Sequence, residues 1–303
     1  MTQLIIRLGP SNPLVQTILR IRCRGASLKF HDGKVDVCVG NRIIRISDKH
    51  FPYAADMTAN FETYFSQVNP EKQGENQVVD YSAPRLQRYA NGLAFEIASM
   101  PEETEAIESY FRWYRPKAGD TVFDMGAYCG VSTYFFSKCV GASGRVFAFE
   151  PDPTSYSLLQ KNIARHQLDN VVTLPFAIAG ETSTAAFSSE GTMGSTLKRH
   201  SSRATLGSIE TVKTISLADA CAEYGVPAFA KVDIEGSEVE MLLASERFLR
   251  ENDIQFALDT NHWVKGKLTR PRVEEIFRQY GYEAESSDEC GSMTTWARRK
   301  SHV

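Results

Sequence analysis

Val122-Phe-Asp-Met-Gly-Ala-Tyr-Cys-Gly-Val131 decides the fold of this 303-residue chain. An apolar strand ends in Asp124, and Gly126 and Gly130 then occupy the turn that opens a helix. Glycine suits such a turn because it adopts backbone angles other residues avoid and lets a neighbour or ligand come close. Outward from this unit, short apolar runs alternate with helical periodicity. Strands are predicted over Thr121–Met125, Val146–Glu150, Val171–Ala179, Phe229–Ile234 and Ile254–Thr260. Helices are predicted over Val131–Lys138, Thr154–His166, Leu217–Tyr224, Ser237–Arg250 and Arg272–Tyr280. Alternation of this kind specifies an α/β fold with a mostly parallel, doubly wound sheet, whose ligands bind beyond the carboxyl ends of the strands.

Those ends carry the chemistry. Twenty residues after Gly130 the next strand finishes in Val146-Phe-Ala-Phe-Glu150-Pro151, and a carboxylate there can accept bonds from both hydroxyls of a ribose. A dinucleotide site asks for Gly-x-Gly-x-x-Gly facing a pyrophosphate. Here the spacing is Asp-x-Gly-x-x-x-Gly, with an acid where a phosphate is disfavoured. Asp124 better suits a cationic nucleoside, such as the amino group and sulfonium of S-adenosylmethionine. Asp124, Gly126, Gly130 and Glu150 are therefore the expected cofactor residues, with Ala177 leaving room for an adenine near the end of Val171–Ala179. Asn162 is expected to fix its helix to the sheet.

Asp124-Met-Gly-Ala-Tyr-Cys-Gly130, Phe149-Glu-Pro-Asp-Pro153, Asn162 and Lys231-Val-Asp-Ile-Glu-Gly-Ser-Glu238 resemble the FkbM family of S-adenosylmethionine-dependent methyltransferases. The similarity runs from about Val79 to the C-terminus and is strongest between Asp120 and Leu243; Lys-x-Asp-x-Glu-Gly is its distinctive string. The resemblance implies a class I (Rossmann-like) methyltransferase fold and O-methylation of a hydroxyl on a small natural product, sugar or glycolipid. Asp259 departs from the family pattern, which more often has Glu at that position.

In Phe229-Ala-Lys-Val-Asp-Ile-Glu-Gly-Ser-Glu238, Lys231 and Asp233 share one strand face, and Glu235 reaches into the turn. Methyl transfer to an alcohol needs alignment and removal of the hydroxyl proton. Asp233 is the first candidate base, with Lys231 setting its charge state and Glu235 beside it; His262, just past Thr260, is the second. Asp233, Glu235 and Asp259 can offer oxygens to Mg²⁺, but no metal is expected. Ser237 and Glu240 read as a capping box. An N-methyltransferase acting on a small amine and a non-catalytic nucleoside-binding protein are the alternatives.

Before this core the pattern is mixed. Hairpins are expected at Asp32-Gly33 and Asn91-Gly92, a strand at Arg42–Ser47, a helix over Ala54–Val68 and another from Ser99 to about Arg115. Asn69–Gln77 reads as a linker, giving an accessory region at 1–77 and a methyltransferase domain at 78–303. Between Ala179 and a strand at Ile209–Ser216, the Ser/Thr-rich stretch Gly180–Ser208 reads as a lid over the acceptor or a short hairpin through Ala185–Ser188 with a solvated loop. Ser195 is its candidate substrate contact, and Lys198, Arg199 and Arg203 form its basic cluster.

A formal charge of -3 argues against a nucleic-acid partner. No apolar run reaches the ~18 residues of a membrane span. The six cysteines are scattered without a Cys-x-x-Cys pair, so core packing is expected of them. The expected partner is a small-molecule acceptor in the cytoplasm, and a homo-oligomer is compatible with the sequence.

Overall fold

A computed structural model describes residues 8–197, 207–288 and 293–300. They pack as two compact units. One contains 8–101 with Glu190–Met193 and 207–208; the other contains Glu102–Ser189, 194–197, 209–288 and 293–300.

The second unit is built on a seven-stranded sheet, labelled in chain order β1 (Thr121–Met125), β2 (Arg145–Phe149), β3 (Val171–Leu174), β4 (Phe229–Val232), β5 (Gln255–Asp259), β6 (Tyr282–Ser287) and β7 (Thr294–Arg299). The spatial order is β3-β2-β1-β4-β5-β7-β6. All pairs from β3 to β5 are parallel, and β7 runs antiparallel to both β5 and β6. The order reverses between β1 and β4, so a crevice opens there at their carboxyl ends. The predicted strands and helices of this half are present except that Val171–Ala179 and Ser237–Arg250 each divide in two. The terminal pair β6 and β7 was not predicted, because Glu283, Glu285, Arg298 and Arg299 interrupt its apolar alternation.

Strand alternation supplies two apolar faces. Phe123, Met125, Phe149, Ala230, Val232, Phe256 and Leu258 form one cluster with the helices Leu217–Tyr224, Glu238–Ala244 and Arg270–Gln279. On the other side, Ala148 packs with Leu159 of the helix Pro153–Arg165, and Phe229 meets Phe136 of the helix Val131–Val140. The predicted helix Ser237–Arg250 breaks at Ser245 into two short helices.

Pro175 corrects the expectation of one strand over Val171–Ala179. Lacking an N–H, proline cannot continue a sheet ladder. The chain leaves β3 there, and Phe176–Ala179 pairs in parallel with Ser208–Ser216 in a separate four-stranded sheet. That sheet also holds Ser183–Ser189 paired with Thr196–Leu197, so the described part of Gly180–Ser208 is the hairpin alternative. Lys198, Arg199 and Arg203 lie outside the described residues.

In the first unit the sheet order is Ser27–His31, Lys34–Val39, Arg42–Ser47, Asn76–Tyr81, Glu71–Gln73. Both predicted hairpins form, the second pairing Arg85–Arg88 with Ala94–Ile97. The linker expected at Asn69–Gln77 is a hairpin of this sheet, which pairs Glu71–Gln73 with Asn76–Tyr81. The helix expected from Ser99 shrinks to Ile107–Tyr110, since the Ser99 hydroxyl bonds the Tyr81 carbonyl and caps nothing. Ala54–Val68 divides at Asn60 into two helices. Cys23, Cys38, Cys129 and Cys221 are buried, while Cys139 is half-buried.

Candidate active site

The glycine turn is fixed from three directions. Gly126 has φ +80, and a Cβ there would stand 1.8 Å from the Asp233 carbonyl oxygen. Its N–H donates to the Phe149 carbonyl, and its own carbonyl accepts from Lys231 Nζ at 2.7 Å. Gly130, at φ +89, caps the next helix, and a Cβ there would meet Leu159 at 2.6 Å. Protein atoms, not a ligand, demand both glycines. Asn162 is buried and donates to the Cys129 carbonyl at 2.8 Å, tying the helix Pro153–Arg165 to the same turn as expected.

Glu150 follows β2 and is 6% exposed. Its Oε2 accepts from the Tyr128 N–H and its Oε1 from the Asp152 N–H, both at 2.8 Å. A carboxylate offers about four lone-pair sites, so each oxygen retains one for a ribose hydroxyl. Burial pushes the carboxyl up to about 8, against the opposing pull of the Asp152 amide. This acceptor-rich group beside the glycine turn fits a nucleoside.

Asp124 is enclosed by protein groups. It is fully buried, and its Oδ2 accepts from Ser132 at 2.9 Å and Thr133 at 2.6 Å on the following helix. Its Oδ1 faces Lys231 Nζ at 3.6 Å. Through these partners it anchors the glycine turn to the following helix and to Lys231. Lys231 is 1% exposed and also lies 3.7 Å from Asp233 Oδ2. Burial alone would lower its pKa, but Asp233 and Asp124 outweigh it and hold the ammonium charged. The expected Lys231–Asp233 pair is present.

Beyond β4 the chain turns sharply, with Glu235 at φ +51, a left-handed angle that costs a non-glycine residue about 1–2 kcal/mol. The turn brings Glu235 Oε1 to 3.7 Å and Asp233 Oδ1 to 3.6 Å from His262 Nε2. The other ring nitrogen of His262, Nδ1, bonds Glu238 Oε1 at 2.9 Å. That oxygen also accepts from the Ile234 and Gly236 amides. Burial works against the imidazolium, yet Glu238 and Glu235 raise its pKa well above the usual range. A protonated His262 is a poor base. Asp259 is 9% exposed, and burial with the nearby Asp233 raises its carboxyl to about 7.

A sequence-family profile described as the methyltransferase FkbM domain matches residues 124–284. The chain belongs to the FkbM methyltransferase family. The domain is an S-adenosylmethionine-dependent methyltransferase domain. The catalytic subunit of tRNA (adenine(58)-N(1))-methyltransferase from Yarrowia lipolytica is 29% identical over 79 residues, 24% of this chain and 20% of that protein. Among solved structures, methyltransferase FkbM from Methylobacillus flagellatus aligns at TM-score 0.46 and 14% identity, covering 94% of this chain and 59% of that one. Precorrin-6y C5,15-methyltransferase from Geobacter metallireducens aligns at 0.44 and 15%, covering 68% and 93%. The chain thus spans a fifth of the curated relative and about three fifths of the first of these structures.

Within the FkbM domain, Lys231, Asp233, Glu235 and His262 converge on one end of the sheet with Gly126. Two expected residues do not join them. Ala177 sits in an apolar cluster with Phe187, Leu197 and Val212, because Pro175 diverts its strand from the main sheet. Ser195 donates to Asp152 Oδ2 at 3.0 Å, next to Ser189 at 2.6 Å, and so secures the hairpin to the Glu150-Pro-Asp corner. The capping box also fails: Ser237 makes no cap bond, and Glu240 accepts from the Gly180 amide.

Three residues went unassigned from sequence. Glu238 belongs to the quoted family string, yet only its fold contacts reveal that it orients His262. Thr196 donates to the Glu235 carbonyl at 2.7 Å. Glu102 accepts from the Val131 amide, and burial pushes it up to about 8 despite Lys231. No local pattern signals Thr196, and Glu102 is expected from sequence only as the capping-box partner of Ser99. Among the described residues no helix is long and apolar enough to cross a membrane.

Proposed function

We propose that this FkbM domain methylates a hydroxyl oxygen of a small acceptor, with Glu150 holding the cofactor ribose and Asp233 taking the hydroxyl proton. When bound, S-adenosylmethionine supplies a methyl group on a sulfonium leaving group. The residues do the rest. Asp233 carries the reading: its side chain is 28% exposed at the β4 end, while its Oδ1 has no hydrogen-bond partner. That oxygen can accept a proton from an alcohol held at the crevice. Lys231 and His262 flank it on either side and aim it. An alcohol needs such a base, whereas an amine acceptor can lose its proton after transfer. Asp233 and Glu235 also give the crevice the negative character that suits a sulfonium.

Label transfer from methyl-tritiated S-adenosylmethionine to matched hydroxyl and amine acceptors tests this reading. Label is expected in hydroxyl acceptors, with Asp233→Asn slowing turnover by ~10²–10⁴ while cofactor affinity holds. Transfer to amines alone, or undiminished transfer by Asp233→Asn, would remove the proposal.

A further inference from the structure

We infer that Asp233 Oδ1, Glu235 Oε1 and His262 Nε2 form a binding site for one divalent first-row metal ion of the Mn²⁺ type. The three ligand atoms come from two chain segments and lie within 4.8 Å of one another. His262 Nε2 stands 3.6 Å from one carboxylate oxygen and 3.7 Å from the other, beyond hydrogen-bonding distance of both. Adjacent ligands on an ion with bonds of about 2.0–2.4 Å are about 3.0–3.4 Å apart. The Asp233 and Glu235 side chains are part-exposed, so both can turn toward a common ion.

A second observation is independent of that clustering. His262 is 9% exposed, and its Nδ1 is locked by the fully buried Glu238. A carboxylate on one ring nitrogen, directing the other nitrogen at a set of oxygens, is the usual outer support of a metal-bound histidine. The charge balance agrees. Asp233, Glu235 and Glu238 gather around His262 beside one lysine, Lys231; Asp233 Oδ1 is buried without a hydrogen bond, and His262 would give up its Nε2 proton on binding the ion. Two oxygens and one imidazole exclude the all-oxygen shell of Ca²⁺ and the closed four-ligand shell of structural zinc. They suit Mn²⁺ or a neighbouring ion with open positions. His262 replaces Asp259, the third ligand considered from sequence, and a metal replaces the expectation of none.

The coordination stands on these side chains alone. Its use rests on the O-methylation reading: with Oδ1 on the ion, an acceptor hydroxyl in an open position would ionise more readily, and Asp233 would receive the proton on Oδ2.

The test titrates EDTA-dialysed full-length protein with Mn²⁺ alone, reading free Mn²⁺ by electron paramagnetic resonance. S-adenosylmethionine binding is measured separately by calorimetry in EDTA. One Mn²⁺ per chain is expected. Glu235→Gln should weaken it at least about 10-fold, and Glu238→Gln about 10–100-fold. Glu235 is part-exposed, so Glu235→Gln remains decisive even if the buried Glu238 variant misfolds. Absence of Mn²⁺ uptake, or uptake unchanged in Glu235→Gln, overturns the site. If the cofactor still binds in that case, only the metal falls. If Mn²⁺ binds and the cofactor does not, the metal site stands and the O-methylation reading falls.

Discussion

At the scale of single residues, Glu150 does two things with one carboxyl group. It receives the Tyr128 and Asp152 amides, which shape the corner after β2, and it keeps lone pairs for a ribose. Removing it altogether would leave both amides unpaired, so the cleaner variant is Glu150→Gln. Hydrogen bonds to a charged group are worth about 1.5–3 kcal/mol, or about 10–150-fold in affinity, and Gln retains part of them. Calorimetry should show S-adenosylmethionine binding weakened towards the lower end of that range. The carboxyl of the free protein is held at about 8 by burial, and the ionised form is the better acceptor. Affinity should therefore rise as pH climbs from 7 to 9 in the unaltered protein and stay level in Glu150→Gln. A parallel rise in both would point to another group.

At the scale of elements, Asp152 joins a helix to a hairpin. Its Oδ1 caps Pro153–Arg165 through the Thr154 and Ser155 amides. Its Oδ2 accepts from Ser189 and Ser195 at either end of the hairpin turn. The same hairpin reaches the catalytic turn through Thr196 and the Glu235 carbonyl. One carboxylate thus couples the Glu150 corner to a segment that also touches the Glu235 turn. Asp152→Ala should cost about 0.5–2 kcal/mol from the lost cap, measured by chemical denaturation. Hydrogen exchange at 194–197 should also quicken. A stability loss with unchanged exchange there would confine Asp152 to capping.

At the scale of the whole molecule, buried carboxyls give stability an uncommon pH dependence. Burial pushes both Glu102 and Glu150 up to about 8 from an ordinary 4.5. Between those values the folded protein holds protons that the unfolded chain has released. Their contribution is complete below about 4.5 and is lost as pH rises through 8. Without cofactor, Tm should fall between pH 6 and 9, and Glu150→Gln should reduce the fall. A Tm that rises across that range would mean both groups are ionised in the folded state.

The sequence by itself determined the strand–glycine–helix unit at Asp124–Val131, the five parallel strands and the carboxyl-end address of Glu150, Lys231, Asp233 and Glu235. These follow from local periodicity and turn chemistry, which neighbouring residues fix. Tertiary structure alone decided the rest. Asp124 became an internal anchor because Ser132, Thr133 and Lys231 close over it. Ala177 moved into another sheet because Pro175 ended the ladder and Ser208–Ser216 offered a new partner. His262 gained its charge and aim from Glu238, 24 residues earlier in the chain. Burial, charge pairing and strand exchange depend on residues distant in sequence, and their energies exist only once the chain has packed.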